Sequence, residues 1–279
     1  MSPARPVVTE LADVLACPEC GLGLQPSDRA LRCARGHSFD LAKQGYVSLL
    51  TGASTKMTGD TPAMLDARSA FQGGGHFAPV ADAVAAAVAP GDAPAVVLEI
   101  GAGTGYYLSH LLDAAPAAHG IALDVAKAAA RRCARAHPRA AAVLADAWRG
   151  LPLRDDSVHR AVSVFAPRNP AEVARVLRAE GRFVVATPTV RHLAELVGPL
   201  GLVTVDPDKE RRLAESMAGR FEVRDRTVVD YPMKLTRADI ANVVGMGPSA
   251  FHAEGRDPAT LPDLLEVTAS VTVTTYGHA

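Results

Sequence analysis

From residue 95 to residue 186 the chain alternates short apolar runs with helical patterns, and no other feature constrains its fold as tightly. Runs at 95–100, 119–123, 141–145, 158–165 and 182–186 are continuous, short and bounded by turn residues, which is the signature of strands buried on both faces. Helical patterns at 105–114, 126–136 and 170–178 lie between them. Strand–helix–strand repetition needs crossover connections, so it predicts an α/β fold with a parallel sheet and helices on both faces. Two helices, at 63–72 and 76–89, precede the alternation. The tail adds strand candidates at 221–229 and 265–275 around a helix at 236–245.

The first strand runs into Glu99-Ile100-Gly101-Ala102-Gly103-Thr104-Gly105-Tyr106. Glycines at a strand-to-helix turn let the backbone approach a ligand closely at the helix N-terminus. A dinucleotide site needs G-x-G-x-x-G, and here Tyr106 stands where the third glycine would fall, so the turn suits a ligand without pyrophosphate. Asp124 closes the second strand, where a carboxylate takes both ribose hydroxyls. Asp146, just past the third strand, is placed to meet an adenine edge. This combination favours S-adenosylmethionine over NAD and makes Glu99, Gly101, Gly103, Gly105, Asp124 and Asp146 candidate cofactor contacts. The competing reading of the two aspartates is plain strand-end capping.

Nearer the N-terminus stand Cys17-Pro-Glu-Cys20, Cys33 and His37, a C-x2-C-x12-C-x3-H pattern. A two-residue gap turns two thiolates onto one ion, and the second pair completes a tetrahedron of zinc ligands. Four protein ligands leave no open position, so the ion is expected to be structural. Residues 1–55 therefore read as a zinc-binding module with its linker, the linker falling at 51–60, and residues 56–279 as the α/β domain. With its own buried sheet, that domain is expected to fold without the module. Formal net charge is −1, which excludes a global basic field as the means of binding nucleic acid. No uncharged apolar run reaches the length of a bilayer span, and Glu10 and Asp13 interrupt the place of a signal peptide, so a cytoplasmic protein is expected.

The chain resembles the bacterial 23S rRNA guanine-N1 methyltransferases, and within them the macrolide-resistance members of the tylosin type. The resemblance rests on the cysteine–histidine pattern and on its sequel Gly36-His37-Ser38-Phe39-Asp40-x-Ala42-Lys43-x-Gly45-Tyr46-Val47. It continues through Gly75-His76-Phe77-x-Pro79, the glycine turn with Tyr106-Tyr107, Phe165-Ala166-Pro167, and Thr187-Pro188-x-x-Arg191-His192-Leu193-x-Glu195-Leu196. It implies a Rossmann-like class I methyltransferase sheet behind an N-terminal zinc module, with zinc at Cys17, Cys20, Cys33 and His37. It also implies S-adenosylmethionine contacts at Phe77, Thr104, Gly105 and His192. Relatives often carry tyrosine at the position of Phe77, whose ring keeps the aromatic wall without the hydroxyl. His192, judged on the residues alone, is a surface or helix-start histidine.

The reaction so implied is methyl transfer to N1 of a guanine in a 23S rRNA hairpin loop near the macrolide site, by a homodimer with no membrane partner. No residue is marked as acceptor of the guanine N1 proton, so the catalytic residue is unknown. Two rivals stand beside this reading. One is a methyltransferase of small molecules, and the other is a zinc-ribbon RNA-binding protein whose core has lost catalysis. Basic residues cluster at Lys127, Arg131 and Arg135, and again at Arg168, Arg175, Arg178, Arg182 and Arg191. Arg168 and Arg191 fall nearest the ligand-binding ends of the strands. Phe165 and Trp148 are the aromatics placed to stack on a splayed base, with core packing as the alternative, more so for Trp148.

Overall fold

All five apolar runs become neighbouring strands of one sheet. The computed structural model describes residues 6–52, 55, 57–89, 91, 93–202, 204–206, 208–247 and 260–279. A small antiparallel sheet comes first, β1 (Leu24–Ser27), β2 (Ala30–Cys33) and β3 (Ser38–Asp40), followed by the short β4 (Val47–Ser48). Helices α1 (Pro62–Gly73) and α2 (Ala78–Val88) lead into β5 (Ala95–Ile100), α3 (Tyr106–Ala114), β6 (Ala118–Asp124), α4 (Lys127–Cys133), β7 (Ala140–Leu144) and β8 (Val158–Val164). The chain continues with α5 (Pro170–Val176), β9 (Leu177–Pro188), α6 (Ala194–Leu200), α7 (Lys209–Met217), β10 (Phe221–Thr236), α8 (Arg237–Gly245) and β11 (Leu264–His278). Helices α6 and α7 were not anticipated, because proline and charge obscure their apolar period.

Among the described residues the main sheet has eight strands in the order β10-β11-β9-β8-β5-β6-β7-β4. From β4 to β9 the pairing is parallel, while β11 runs antiparallel to β9 and β10 antiparallel to β11. The chain leaves β5 towards β6 and β7, then returns to lay β8 on the other side of β5. That reversal opens a crevice at the carboxyl ends of β5 and β8, where ligands bind in such sheets. Strand β10 outruns the expected 221–229 because its pairing with β11 carries a largely exposed edge that has no apolar pattern of its own.

Each face of the sheet has its own apolar layer. One layer joins Val97, Ala122, Val162 and Val184 to α2, α3 and α8. The other joins Leu98, Ile121, Leu123 and Val143 to α5 and α7, and also to Val8, Leu11, Leu15, Leu24 and Leu31 of the N-terminal segment. Strand β4 pairs with β7, Ala16 N–H donates to the Pro152 carbonyl at 3.0 Å, and Arg154 N–H donates to the Val14 carbonyl at 2.9 Å. The compositional boundary at residue 55 is thus crossed by packing. Residues 56–279, expected to fold alone, therefore do not bury this layer by themselves, since removing the N-terminal segment would expose the part that Val8, Leu11 and Leu15 cover.

Candidate cofactor site and metal centre

The metal ligands are set by two tight turns. In the first, the N–H groups of Cys20 and Gly21 both donate to the Cys17 carbonyl, and Gly21 takes φ +72°. In the second, Gly36 N–H donates to the Cys33 carbonyl with Gly36 at φ +88°, and Cys33 N–H reaches the His37 carbonyl at 3.1 Å. These turns bring Cys17, Cys20, Cys33 and His37 to one point, their ligand atoms all within 4.8 Å of one another. Cys20 Sγ lies 3.7 Å from Cys33 Sγ, and His37 Nδ1 lies 3.4 Å from the sulfurs of both Cys17 and Cys33. Tetrahedral zinc with bonds of about 2.0–2.3 Å requires ligand–ligand edges of roughly 3.5–3.8 Å, and these three separations are close to that range. Zinc here would be structural, with every ligand position filled by the chain.

At the crevice, β5 ends in the glycine turn, where Gly101, Gly103 and Gly105 take φ of +70°, +57° and +79°. A side chain at Gly101 would strike Ala166 at 2.6 Å and one at Gly105 would strike Ala136 at 2.7 Å, so those two glycines are demanded by packing. One at Gly103 would meet the Arg68 guanidinium at 2.7 Å. Beneath the turn, Glu99 is 2% exposed and accepts the Leu108 N–H at 3.1 Å, in the first turn of α3. Burial pushes its carboxyl up to about 8.

Asp124 ends β6 and is also buried. Its Oδ2 accepts the Gly103 N–H and its Oδ1 the Ala126 N–H, both at 2.8 Å. Burial raises its pKa, against the pull of those two donors. Each oxygen keeps a second acceptor position, which is what two vicinal hydroxyls need. Asp146, past β7, accepts the Trp148 N–H at 3.0 Å and the Thr55 hydroxyl at 2.6 Å. Two buried carboxylates at the ends of adjacent strands, beside a glycine turn, fit a nucleoside.

On the other side of the crevice lie Phe77, Phe165 and His192. Their ring centroids are 5.6–5.9 Å apart, and Phe165 stacks on His192 at an interplanar angle of 24°. Phe77 is buried at the start of α2, with Phe71 against it edge-on at 5.0 Å. Phe165 is 39% exposed and holds φ +53°, a left-handed backbone that a phenylalanine rarely adopts. His192 is held neutral by burial, its pKa lowered to about 4, and its Nδ1 accepts the Ser270 N–H at 3.2 Å. Its proton therefore sits on Nε2.

A family model described as "RlmA, N-terminal", a zinc ribbon, matches residues 15–54, and one described as "Methyltransferase domain" matches residues 97–181. The 23S rRNA (guanine(748)-N(1))-methyltransferase of Streptomyces fradiae is 46% identical over 267 residues, covering 93% of this chain and 95% of that protein. A Micromonospora griseorubida protein, provisionally named for guanine-N1 methylation of 23S rRNA, is 46% identical over 96% of this chain and 98% of its own. The chain belongs to the 23S rRNA (guanine-N1)-methyltransferase family. It has the class I methyltransferase fold, S-adenosylmethionine is its cofactor, and its N-terminal residues form the family's zinc ribbon. A solved methyltransferase chain, bound to the Haloferax volcanii Trm112 activator, shares the fold at TM-score 0.51 and 18% identity, over 80% of this chain and all of its own.

Measured against the sequence, the fold of this family member brings the expected residues to one crevice but changes the standing of several. Thr104 turns its hydroxyl away into protein, donating to Gln72 Oε1 at 2.7 Å. Trp148 is 53% exposed beside Asp146, which overturns core packing as its explanation. Three residues of the second basic cluster have protein partners. Arg175 pairs with Glu172 and Asp155 at 2.7 Å, Arg191 pairs with Asp230 at 3.1 Å, and half-buried Arg168 donates to the Ala166 carbonyl at 3.0 Å. Two residues of the crevice escaped notice altogether, Arg68 and Gln72. The sequence shows that Met64, Arg68 and Gln72 share one helix face, recurring every four residues, but not what that face meets.

The stretch 51–60 read as a linker also borders the site. Ala53, Ser54 and Lys56 lie outside the described residues, but Thr55 reaches Asp146 and Asp60 pairs with Arg68 at 2.5 Å.

Proposed function

We propose that this chain methylates N1 of a guanine in a 23S rRNA hairpin loop near the macrolide site, and that resistance to tylosin-type macrolides follows. The observation that carries the reading is the match to the Streptomyces fradiae enzyme through 93% of the chain, zinc ribbon included. In this reading Asp124 takes the ribose hydroxyls and Asp146 the adenine edge. The turn at Gly101, Gly103, Thr104 and Gly105 passes close to the cofactor, with Glu99 bracing it from below. Phe77 and His192 wall the far side. When bound, S-adenosylmethionine supplies an electrophilic methyl group carried on sulfonium.

Guanine N1 lies on the pairing edge, so an unstacked loop guanine is the least costly target. Phe165 offers it a partly exposed ring at the switch point of the sheet, and Trp148 offers a second ring beyond Asp146. His192 cannot accept the N1 proton, because Nδ1 already accepts the Ser270 N–H and Nε2 bears hydrogen. The ring instead orients groups by donating, and the proton leaves to water. The zinc ribbon selects the RNA, two copies of the chain act together, and the work is done in the cytoplasm. Among the described residues no helix is long and apolar enough to cross a membrane.

The test is methyl transfer from labelled cofactor to a transcript of the 23S hairpin, followed by primer extension. Methylation of N1 blocks base pairing, so a new stop one nucleotide before a loop guanine is expected. Label recovered at any other atom or base would refute the assignment.

A further inference from the structure

The crevice holds one cation that neither the zinc centre nor the nucleoside contacts account for. Arg68 lies on the face of α1 that crosses the glycine turn, its guanidinium 2.7 Å from where a side chain on Gly103 would begin. It is only about a quarter exposed. Its Nη2 donates to the Met246 carbonyl at 2.9 Å, and its Nη1 pairs with Asp60 at 2.5 Å. Its positive charge is felt by the buried carboxyls of Glu99 and Asp124, which lie on the two strands that frame the site. Close by, the hydroxyl of Tyr107 is buried beside Gln72, in the field of the same Arg68 and Glu99. The site therefore carries a charged group on the side of β5, beyond Asp124 and Asp146.

Strand order decides what belongs there. Asp146 follows β7, Asp124 ends β6 and the glycine turn ends β5, in that spatial sequence. A nucleoside with its base by Asp146 and its ribose on Asp124 must project its remaining substituent over Gly103, towards Arg68. In S-adenosylmethionine that substituent ends in an amino acid, whose carboxylate is the natural partner of a guanidinium fork. We infer that Arg68 binds the amino-acid carboxylate of the cofactor, and that Asp60 occupies Arg68 until the cofactor displaces it. The inference rests on the cofactor reading above and assigns that site a specificity-determining residue.

The experiment compares two ligands that differ by one group, S-adenosylmethionine and its decarboxylated form, by calorimetry on the full-length zinc-loaded protein. Arg68→Gln should weaken S-adenosylmethionine about tenfold or more while leaving the decarboxylated ligand within about threefold. Arg68→Lys should recover part of the loss. Asp60→Asn leaves Arg68 in place and removes its competitor, so it should tighten S-adenosylmethionine by about twofold to fivefold with no gain for the decarboxylated ligand. Equal weakening of both ligands by Arg68→Gln would make Arg68 a mere brace of the turn and overturn the inference, with the cofactor reading intact. If the parent protein bound neither ligand, the cofactor reading itself would fall, and this inference with it.

Discussion

Glu99→Gln removes the electrostatic cost of a carboxyl sealed beneath the glycine turn. Burial raises its pKa from 4.5 to about 8; the Leu108 N–H and Arg68 oppose the shift, and Asp124 adds to it. A carboxyl whose folded pKa is raised holds its proton more tightly in the folded chain than in the unfolded one. Its contribution to stability is therefore full below pH 4.5 and is lost as pH climbs towards 8. At about 1.36 kcal/mol per unit, the loss between pH 4.5 and pH 7 is about 3 kcal/mol. Glutamine keeps an oxygen for the Leu108 N–H and has no charge to desolvate. The variant should match the parent near pH 4.5, exceed it by about 3 kcal/mol at pH 7, and melt roughly 6 °C or more higher there. His192 slopes the other way, because its lowered pKa costs stability as pH falls below its ordinary value. That slope is common to both proteins and cancels in their difference. Thermal unfolding at several pH values, with zinc saturating and cofactor absent, measures that difference. A gap that stays constant from pH 5 to pH 8 would refute the reasoning.

Asp124→Ala should weaken S-adenosylmethionine binding by about 1–3 kcal/mol through lost charge-assisted bonds, and unchanged calorimetric affinity would remove Asp124 from the site. Cys33→Ser should release zinc and lower the melting temperature of the whole chain, because Leu24 and Leu31 share an apolar layer with the main sheet. A separate early transition with the main one unmoved would show an independent module. Phe165→Ala should weaken hairpin RNA by about 1–3 kcal/mol, the usual worth of a stacked base, as read by filter binding with cofactor saturating.

Local chemistry was readable in the sequence because it is written at short range. The zinc ligands span 21 positions, and the spacing of Cys17, Cys20, Cys33 and His37 is a consequence of turn geometry alone. The strand runs at 95–100 and 119–123, and the acid that ends the second, follow from burial on both faces and from the order of a doubly wound sheet. What the tertiary structure decided depends on which surfaces meet. Val47 and Ser48 read as the tail of the zinc module, yet they pair with β7 and make the module part of the sheet. The basic residues at 168–191 form one cluster in the linear sequence, but it is packing that gives Arg168, Arg175 and Arg191 their carbonyl and carboxylate partners. Arg68 reached the crevice only because α1 lies across a turn 33 residues downstream, between Arg68 and Gly101. Spacing and periodicity determine contacts within one turn or one strand. A charge's partner across the fold is set by packing, and the linear pattern carries no trace of it.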